Sequence, residues 1–255
     1  MRKVTVKHTW GLWVAIASMW LLPVRTAAQI GEHRDDLSVG ANAGYQLSSV
    51  GFNPRVPQGQ HGGLTGGLSV RYVCEKYYST ICSVYAELNV TQMGWKEDIL
   101  DAHDQMVINP ATSKAEEYSR TINYVQVPIF AHLTWGRETK GFNFFFQAGP
   151  QFGFCLGEST SCNFDVNQPN MTDRSNKTIK QYSMDVEKKF DYGIAGGLGL
   201  EYTIPQLGHF LLEGRYYYGL GNIYGASKRD YFGVSNFKGI SVKLTYLFDL
   251  KRTEK

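Results

Sequence analysis

The residues best suited to acid–base chemistry lie close together in one polar segment. Asp101, His103 and Asp104 place two carboxylates beside an imidazole, and an Asp–His pair can activate water or a hydroxyl group. The same residues also fit an acidic, solvated loop. No serine stands in a G-x-S-x-G setting, and no glycine-rich loop has the phosphate-binding pattern. We therefore predict a protein that is not an enzyme and has no cofactor.

Four cysteines are the next groups with chemical potential. Cys74 and Cys82 flank a short turn, and Cys155 and Cys162 lie at the base of the longest predicted loop. If the hairpin turns at Tyr78, the first pair faces across two strands within disulfide range. We predict both bridges, in an oxidising compartment. The rival interpretation is a metal site, but the spacings lack a Cys-x-x-Cys pair and a nearby histidine, so we predict no metal.

The start of the chain has the parts of a secretory signal peptide. Positive residues are followed by an apolar run over residues 10–24, and small residues precede Gln29. The apolar run is shorter than the roughly 20 residues of a membrane-spanning helix, so we favour a signal peptide over an anchor helix. The predicted organisation is a cleaved signal peptide at 1–28 and one exported domain at 29–255.

The rest of the chain shows the period-two alternation of β-strands. Between Phe190 and Tyr202, large apolar residues such as Leu198 and Leu200 alternate with Gly, Ala and acidic residues. Seven other segments are divided in the same way. The pattern predicts eight strands, in the segments 37–45, 64–72, 83–91, 120–135, 142–154, 190–202, 210–220 and 238–249.

Strand length and loop length favour a membrane barrel. Most segments have the ten or so residues that a tilted strand needs to cross a bilayer. Long and short connections alternate, as expected when short turns face the periplasm and long loops face outward. The four long connections are 48–63, 95–119, 156–189 and 221–237. We predict an all-β, eight-stranded antiparallel transmembrane barrel in the outer membrane of a Gram-negative bacterium, surrounded by outer-membrane lipid. A soluble barrel or sandwich is the alternative.

Charges of both signs lie on the polar face of the predicted strands. Unpaired in an apolar core they would be costly, whereas in a narrow lumen they can pair and hydrate. Eight strands leave an interior that side chains can fill, so we predict a closed lumen without sizeable conductance. The predicted structural network comprises Arg71, Glu87, Asp191, Glu201, Glu213, Arg215 and Lys243. The net charge of +3 gives no argument for nucleic-acid binding.

Five segments of the chain carry short motifs whose order and spacing are similar to those of a known family. They are residues 87–95 (third strand), 124–128 (fourth), 190–201 (sixth), 215–223 (seventh) and 245–248 (last). Together they resemble the PorT-type outer-membrane barrels of Bacteroidota, and the likeness covers most of the predicted mature chain. Gln126 stands where that family usually has an acid, and His132 where a basic residue is usual. Both would point into the lumen, which puts the family's internal ion pairing in doubt here.

The resemblance implies a barrel with a structural or interaction role. One member of the family takes part in type IX protein secretion, so the resemblance implies an accessory role in envelope or type IX secretion, with other envelope or secretion proteins as partners. The alternative function is a small-ligand or enzymatic barrel that acts at its extracellular rim.

Overall fold

The structure, a computed structural model, describes residues 31–110, 112–137, 139–225 and 230–252. The predicted signal peptide lies outside these residues. Within them, no helix is long and apolar enough to cross a membrane. The elements are β1 (Glu32–Asn53), β2 (Gln58–Gly59), β3 (His61–Tyr77), β4 (Thr80–Glu97), β5 (Tyr118–Gly136), β6 (Gly141–Cys162), one 3₁₀ turn (Lys180–Tyr182), β7 (Phe190–Ile204), β8 (Gly208–Gly219) and β9 (Val234–Lys251).

Eight long antiparallel strands form a closed ring. Each pairs with its neighbours in the order β4-β3-β1-β9-β8-β7-β6-β5, and β5 pairs with β4 to complete the circle. β1 and β9 form the seam, which runs from the Leu37–Lys251 pair to the Asn53–Val234 pair. The two-residue β2 adds to the end of β4. The predicted eight-stranded barrel is confirmed, and ring closure pairs the backbone groups that a bilayer could not satisfy.

The strands turn their apolar side chains outward. On β9, Leu244 is 58% exposed while its neighbour Lys243 is 2% exposed. The same alternation occurs on β7, where Leu198 and Leu200 are exposed and Glu201 is buried. A soluble barrel would have the opposite arrangement, because its apolar residues form the core. The soluble alternative is therefore wrong.

Connections at the two ends of the barrel differ in length. The short ones cover residues 78–79, 137–140 and 205–207, and the long ones cover residues 54–60, 98–117, 163–189 and 220–233. Backbone geometry tightens the short turns: Gly208 has a φ of +125°, and a Cβ there would lie 2.2 Å from the Leu247 carbonyl oxygen. The third long loop starts later than predicted, because residues up to Cys162 pair with β5.

Pro128 and Pro150 lie in the middle of β5 and β6. The β5–β6 register is the same on both sides of Pro128, and the irregularity in this pairing falls at Asn123 and Tyr124 instead. A bulge at these prolines, which their missing N–H groups would favour, is therefore absent from the described strands. The ladder loses bonds there without changing register.

The extracellular end of the ring encloses an aromatic cluster, which we call the aromatic cap. The ring centroid of Phe52 lies 5.2 Å from that of Trp95 and 4.9 Å from that of Phe232. The Tyr118 and Tyr182 centroids are 4.5 Å apart. The cap consists of Phe52, Trp95, Tyr118, Tyr182, Tyr224 and Phe232, all of them buried. The polar lumen thus ends in a packed apolar layer on the outer side.

Candidate functional site

Four charged side chains form a compact group in the middle of the lumen, which we call the central cluster. Arg215 donates to both oxygens of Glu87, at 2.9 and 3.0 Å, and to Glu213 at 2.6 Å. Lys243 donates to Glu87 at 2.7 Å. Two acids and two bases cancel in charge, and all four side chains are at most 5% exposed.

Strand register brings the central cluster together. Glu213 on β8 is directly opposite Lys243 on β9, and Arg215 follows two residues later on the same face of β8. Neighbouring amides complete the hydrogen bonding of the acids, since Asn89 donates to Glu87 at 2.7 Å and Gln147 donates to Glu213 at 2.5 Å. All four carboxylate oxygens of the cluster therefore accept hydrogen bonds, as buried acids in a low-dielectric interior require, while Arg215 Nε has no hydrogen-bond partner among the described residues.

A second ionic group lies nearer the periplasmic end. Arg71 donates to Glu201 at 2.8 Å. His209 lies between two carboxylates, 2.6 Å from Glu201 and 3.1 Å from Asp249, and Ser38 donates to Asp249 at 2.6 Å. Sequence reasoning placed His209 in a turn and missed Asp249. Both residues could have been found from the sequence, because His209 and Asp249 share the alternating polar positions of Glu213 on β8 and Lys243 on β9.

Asp191 and the two family departures, Gln126 and His132, do not join these groups. Asp191 accepts a hydrogen bond from the Tyr217 hydroxyl at 2.6 Å and lies in no ion pair of the described residues. Gln126 contacts the Met93 sulfur at 3.0 Å. His132 lies 3.1 Å from the Gln147 oxygen. Neutral hydrogen bonds therefore stand where the resemblance implies charges.

The third extracellular loop (163–189) folds inward and closes the cap. Tyr182 donates to Glu97 at 2.8 Å, and Gln181 donates to the same carboxylate at 3.0 Å. Arg174 anchors the loop by donating to Glu116 at 3.0 and 2.6 Å. These residues were missed because an irregular loop gives no periodic signal.

Glu97 ends β4 in the part of the barrel that extends beyond the apolar belt, since the outward positions after Val90 are Gln92 and Lys96. Burial raises the pKa of Glu97 to about 6, although the hydrogen bond from Tyr182 opposes the shift. Burial, and next the charge of Glu97, raise the pKa of Tyr182. The loop is thus held by a buried acid that titrates near physiological pH.

The predicted acid–base residues form a turn. One oxygen of Asp101 accepts the backbone N–H of His103 at 2.7 Å and that of Gln105 at 2.9 Å. These bonds lower the pKa of the Asp101 carboxyl, with the Gln105 bond contributing most. The carboxylate thus stabilises the loop backbone, as Asp commonly does in turns, and Asp104 is exposed beside it. The arrangement brings no nucleophile to this acid.

The four cysteines are not bonded to one another in this structure. The predicted Cys155–Cys162 bridge is wrong, because both residues lie on β6, where seven residues span about 23 Å and a disulfide needs Cα atoms within roughly 7 Å. Cys74 lies at a bulge, so that Glu75 and not Cys74 pairs with Cys82. Within the described ranges, no group of three or more His, Cys, Asp or Glu side chains could hold a metal.

Comparison with known proteins gives one family. Residues 27–225 match the family model described as outer membrane protein beta-barrel domain. A comparison with curated protein sequences gives no match.

Several solved outer-membrane barrels are similar to the chain at low identity. Neisserial surface protein A is 11% identical, with 83% of this chain and 97% of that chain covered and a TM-score of 0.38. Ail, the attachment invasion locus protein of Yersinia pestis, is 12% identical, with 84% of this chain and 99% of that chain covered and a TM-score of 0.37. OprG from Pseudomonas aeruginosa is 13% identical, with 86% of this chain and 96% of that chain covered and a TM-score of 0.36.

The family match covers more than half of the chain and includes seven of the eight barrel strands in full. The closed ring and its outward apolar face agree with that family. The chain therefore belongs to the outer membrane protein beta-barrel domain family and is a β-barrel of the outer membrane.

Proposed function

We propose that this protein is a structural or interaction barrel with a closed lumen, and that it is not an enzyme. The observation that carries the proposal is the double closure of the barrel. The central cluster fills the lumen at mid-height, and the aromatic cap covers it on the outside. A barrel closed at two levels has little room to conduct solutes, so its contribution to the envelope comes from its surfaces.

The extracellular loops support the interaction role because they pack into one ordered surface. The second loop (98–117) and the third are joined where Ser175 donates its backbone N–H to the Leu100 carbonyl at 2.9 Å. Met106 and Ile108 project from the second loop at 67% and 53% exposure. Exposed apolar side chains on an ordered surface are typical of protein contact sites.

The partners we propose are other proteins of the envelope. The PorT resemblance supports a finer proposal, an accessory role in type IX protein secretion. Deleting the gene should then reduce secretion of type IX cargo, and unchanged secretion in the deletion strain would exclude that finer role while leaving the barrel proposal intact.

Planar-bilayer recording tests the closed lumen. The purified, folded barrel should give no stable large openings, because the central cluster and the cap both obstruct the path. Stable large openings of the unmodified protein would contradict the proposal.

Co-purification tests the interaction role. The tagged barrel, extracted in mild detergent, should retain a defined envelope protein, and Ile108→Asp should release it. Lys140→Asp, which changes an exposed residue of a periplasmic turn, is the control and should retain it. Failure of the unmodified barrel to retain any protein, even after cross-linking in cells, would count against the proposal.

A further inference from the structure

The periplasmic end of the lumen encloses a cavity of about 40 Å³. It lies below the central cluster and is bounded by the second ionic group. Most of the residues that line it are polar or charged, and they include Ser83, Arg71, Thr134, Asn143 and Glu201. A cavity with such walls differs from the apolar voids that stay dry in protein interiors.

One polar side-chain atom in each of Arg71, Asn143 and Glu201, all on these walls, is buried without a hydrogen-bond partner among the described residues. The three atoms are Arg71 Nε, Asn143 Oδ1 and Glu201 Oε2, one donor and two acceptors. Each belongs to a side chain whose residue is at most 5% exposed. Buried polar groups are nearly always hydrogen-bonded, to protein or to water, so these atoms require an occupant that can both donate and accept.

The size of the cavity fits that occupant. One water molecule needs roughly 10–15 Å³ of space for its centre, so a cavity of about 40 Å³ holds about three. Water also suits the mixture of one donor and two acceptors, since a buried water typically makes about three hydrogen bonds. A purely anionic or cationic ligand would leave part of this set unsatisfied.

We propose that the periplasmic end of the lumen is a hydrated vestibule, a binding site for about three water molecules that opens to the periplasm and admits small hydrophilic solutes. The waters bridge Arg71, Asn143 and Glu201. Solvent therefore reaches the barrel interior from the periplasm and stops at the central cluster. The Arg71–Glu201 pair is hydrated there, whereas the Arg215–Glu87 pair above it adjoins a space for at most one water.

The lumen above the central cluster has much less free space than the vestibule. The space there measures about 10 Å³, enough for one water at most, and the aromatic cap closes it outward. Thr91 points into this upper region, is fully buried, and shares a hydrogen bond of 2.7 Å with Thr65. The same reagent should thus distinguish the two halves of the lumen.

Cysteine accessibility tests the vestibule. The four native cysteines are changed to Ser in the full chain, and Thr134→Cys is introduced into the vestibule wall and Thr91→Cys into the upper lumen. Both threonines face the lumen and are at most 3% exposed, so the pair is matched. The folded barrels are treated with a small methanethiosulfonate carrying an ammonium group, and the boiled proteins show the full extent of labelling.

The expected result is that Thr134→Cys reacts at least tenfold faster than Thr91→Cys in the folded barrel. Ser83→Cys, on the same wall, repeats the test if Thr134→Cys does not fold. Equal and slow labelling of both positions, with full labelling after boiling, would overturn the proposal, because the vestibule would then be closed to solvent.

Discussion

Arg215 on β8 spans the lumen to Glu87 on β4, where its two terminal nitrogens lie 2.9 and 3.0 Å from the two carboxylate oxygens. β4 and β8 are opposite one another in the ring, since four pairing steps separate them in either direction. A bidentate ion pair thus connects opposite walls of the barrel. Such pairs combine strength with a strict geometry.

Breaking this pair should destabilise the barrel strongly. In Glu87→Gln, Arg215 and Lys243 lose their shared acid while buried, and an uncompensated buried charge costs about 3–5 kcal/mol. The control is Glu117→Gln, because Glu117 pairs with Lys96 at 3.5 Å with both side chains about half exposed, and such pairs contribute less than about 1 kcal/mol. Urea unfolding in lipid vesicles measures the loss of unfolding free energy in each of the two variants. Equal losses of unfolding free energy in the two variants would contradict a buried central cluster whose charges depend on one another.

A charge on the outward face should be costly only within the bilayer. Leu198→Arg places an arginine on the lipid face of β7 and should cost about 2–4 kcal/mol if it lies near mid-membrane. Ile108→Arg is the matched control, because Ile108 is 53% exposed in an extracellular loop and Leu198 is 57% exposed. The free energies of unfolding in vesicles are compared. Near-neutral effects for both would mean that Leu198 faces water.

Stability of the cap should increase on mild acidification. The pKa of Glu97 is raised from 4.5 to about 6 in the folded state. The stabilisation of the cap by protonated Glu97 is therefore complete below pH 4.5 and is lost as the pH rises through 6. The difference amounts to at most about 2 kcal/mol. Hydrogen-exchange protection of residues 163–189, corrected for intrinsic rates, should therefore be higher at pH 4.5 than at pH 7.5.

Glu97→Gln isolates that acid, since glutamine has the same shape and does not titrate. The variant should lose most of the pH difference in loop protection. An undiminished difference in Glu97→Gln would assign the effect to another group.

The Cys74–Cys82 bridge stays a prediction. The bulge shifts Cys74 by one position from its expected partner, but the two cysteines remain neighbours across β3 and β4. Protein purified without reductant and then denatured should show about two free thiols, from Cys155 and Cys162. Cys82→Ser should raise the count to about three by releasing Cys74, whereas Cys162→Ser should lower it to about one. Four thiols in the unmodified protein would exclude the bridge.

The strands and their faces could be predicted because period two is imposed locally. Each lumen charge, such as Glu213 or Lys243, follows from the parity of its position along a strand. β8 and β9 are consecutive strands, so an antiparallel hairpin already places Glu213 beside Lys243. The prediction of inward charges therefore needed no long-range information.

Other features depend on contacts that no local pattern specifies. Tyr182 and Gln181 reach Glu97 from an irregular loop, and only the folded cap shows that they meet. The Cys155–Cys162 prediction failed because the end of β6 has small polar residues that look like loop. In the structure, the residues up to Cys162 pair with β5 and therefore form a strand. His209 was assigned to the preceding turn because β8 begins at Gly208, two residues before the predicted start of that strand.

Heat-modifiability in an isolated outer-membrane fraction decides whether this protein is a closed membrane barrel. The same sample is run unheated and boiled on a detergent gel. A closed membrane barrel has no open strand edge, so it should stay folded until heated. A clear mobility shift between the two lanes is the expected result. No shift, with the protein found in the soluble periplasmic fraction, would contradict a membrane barrel.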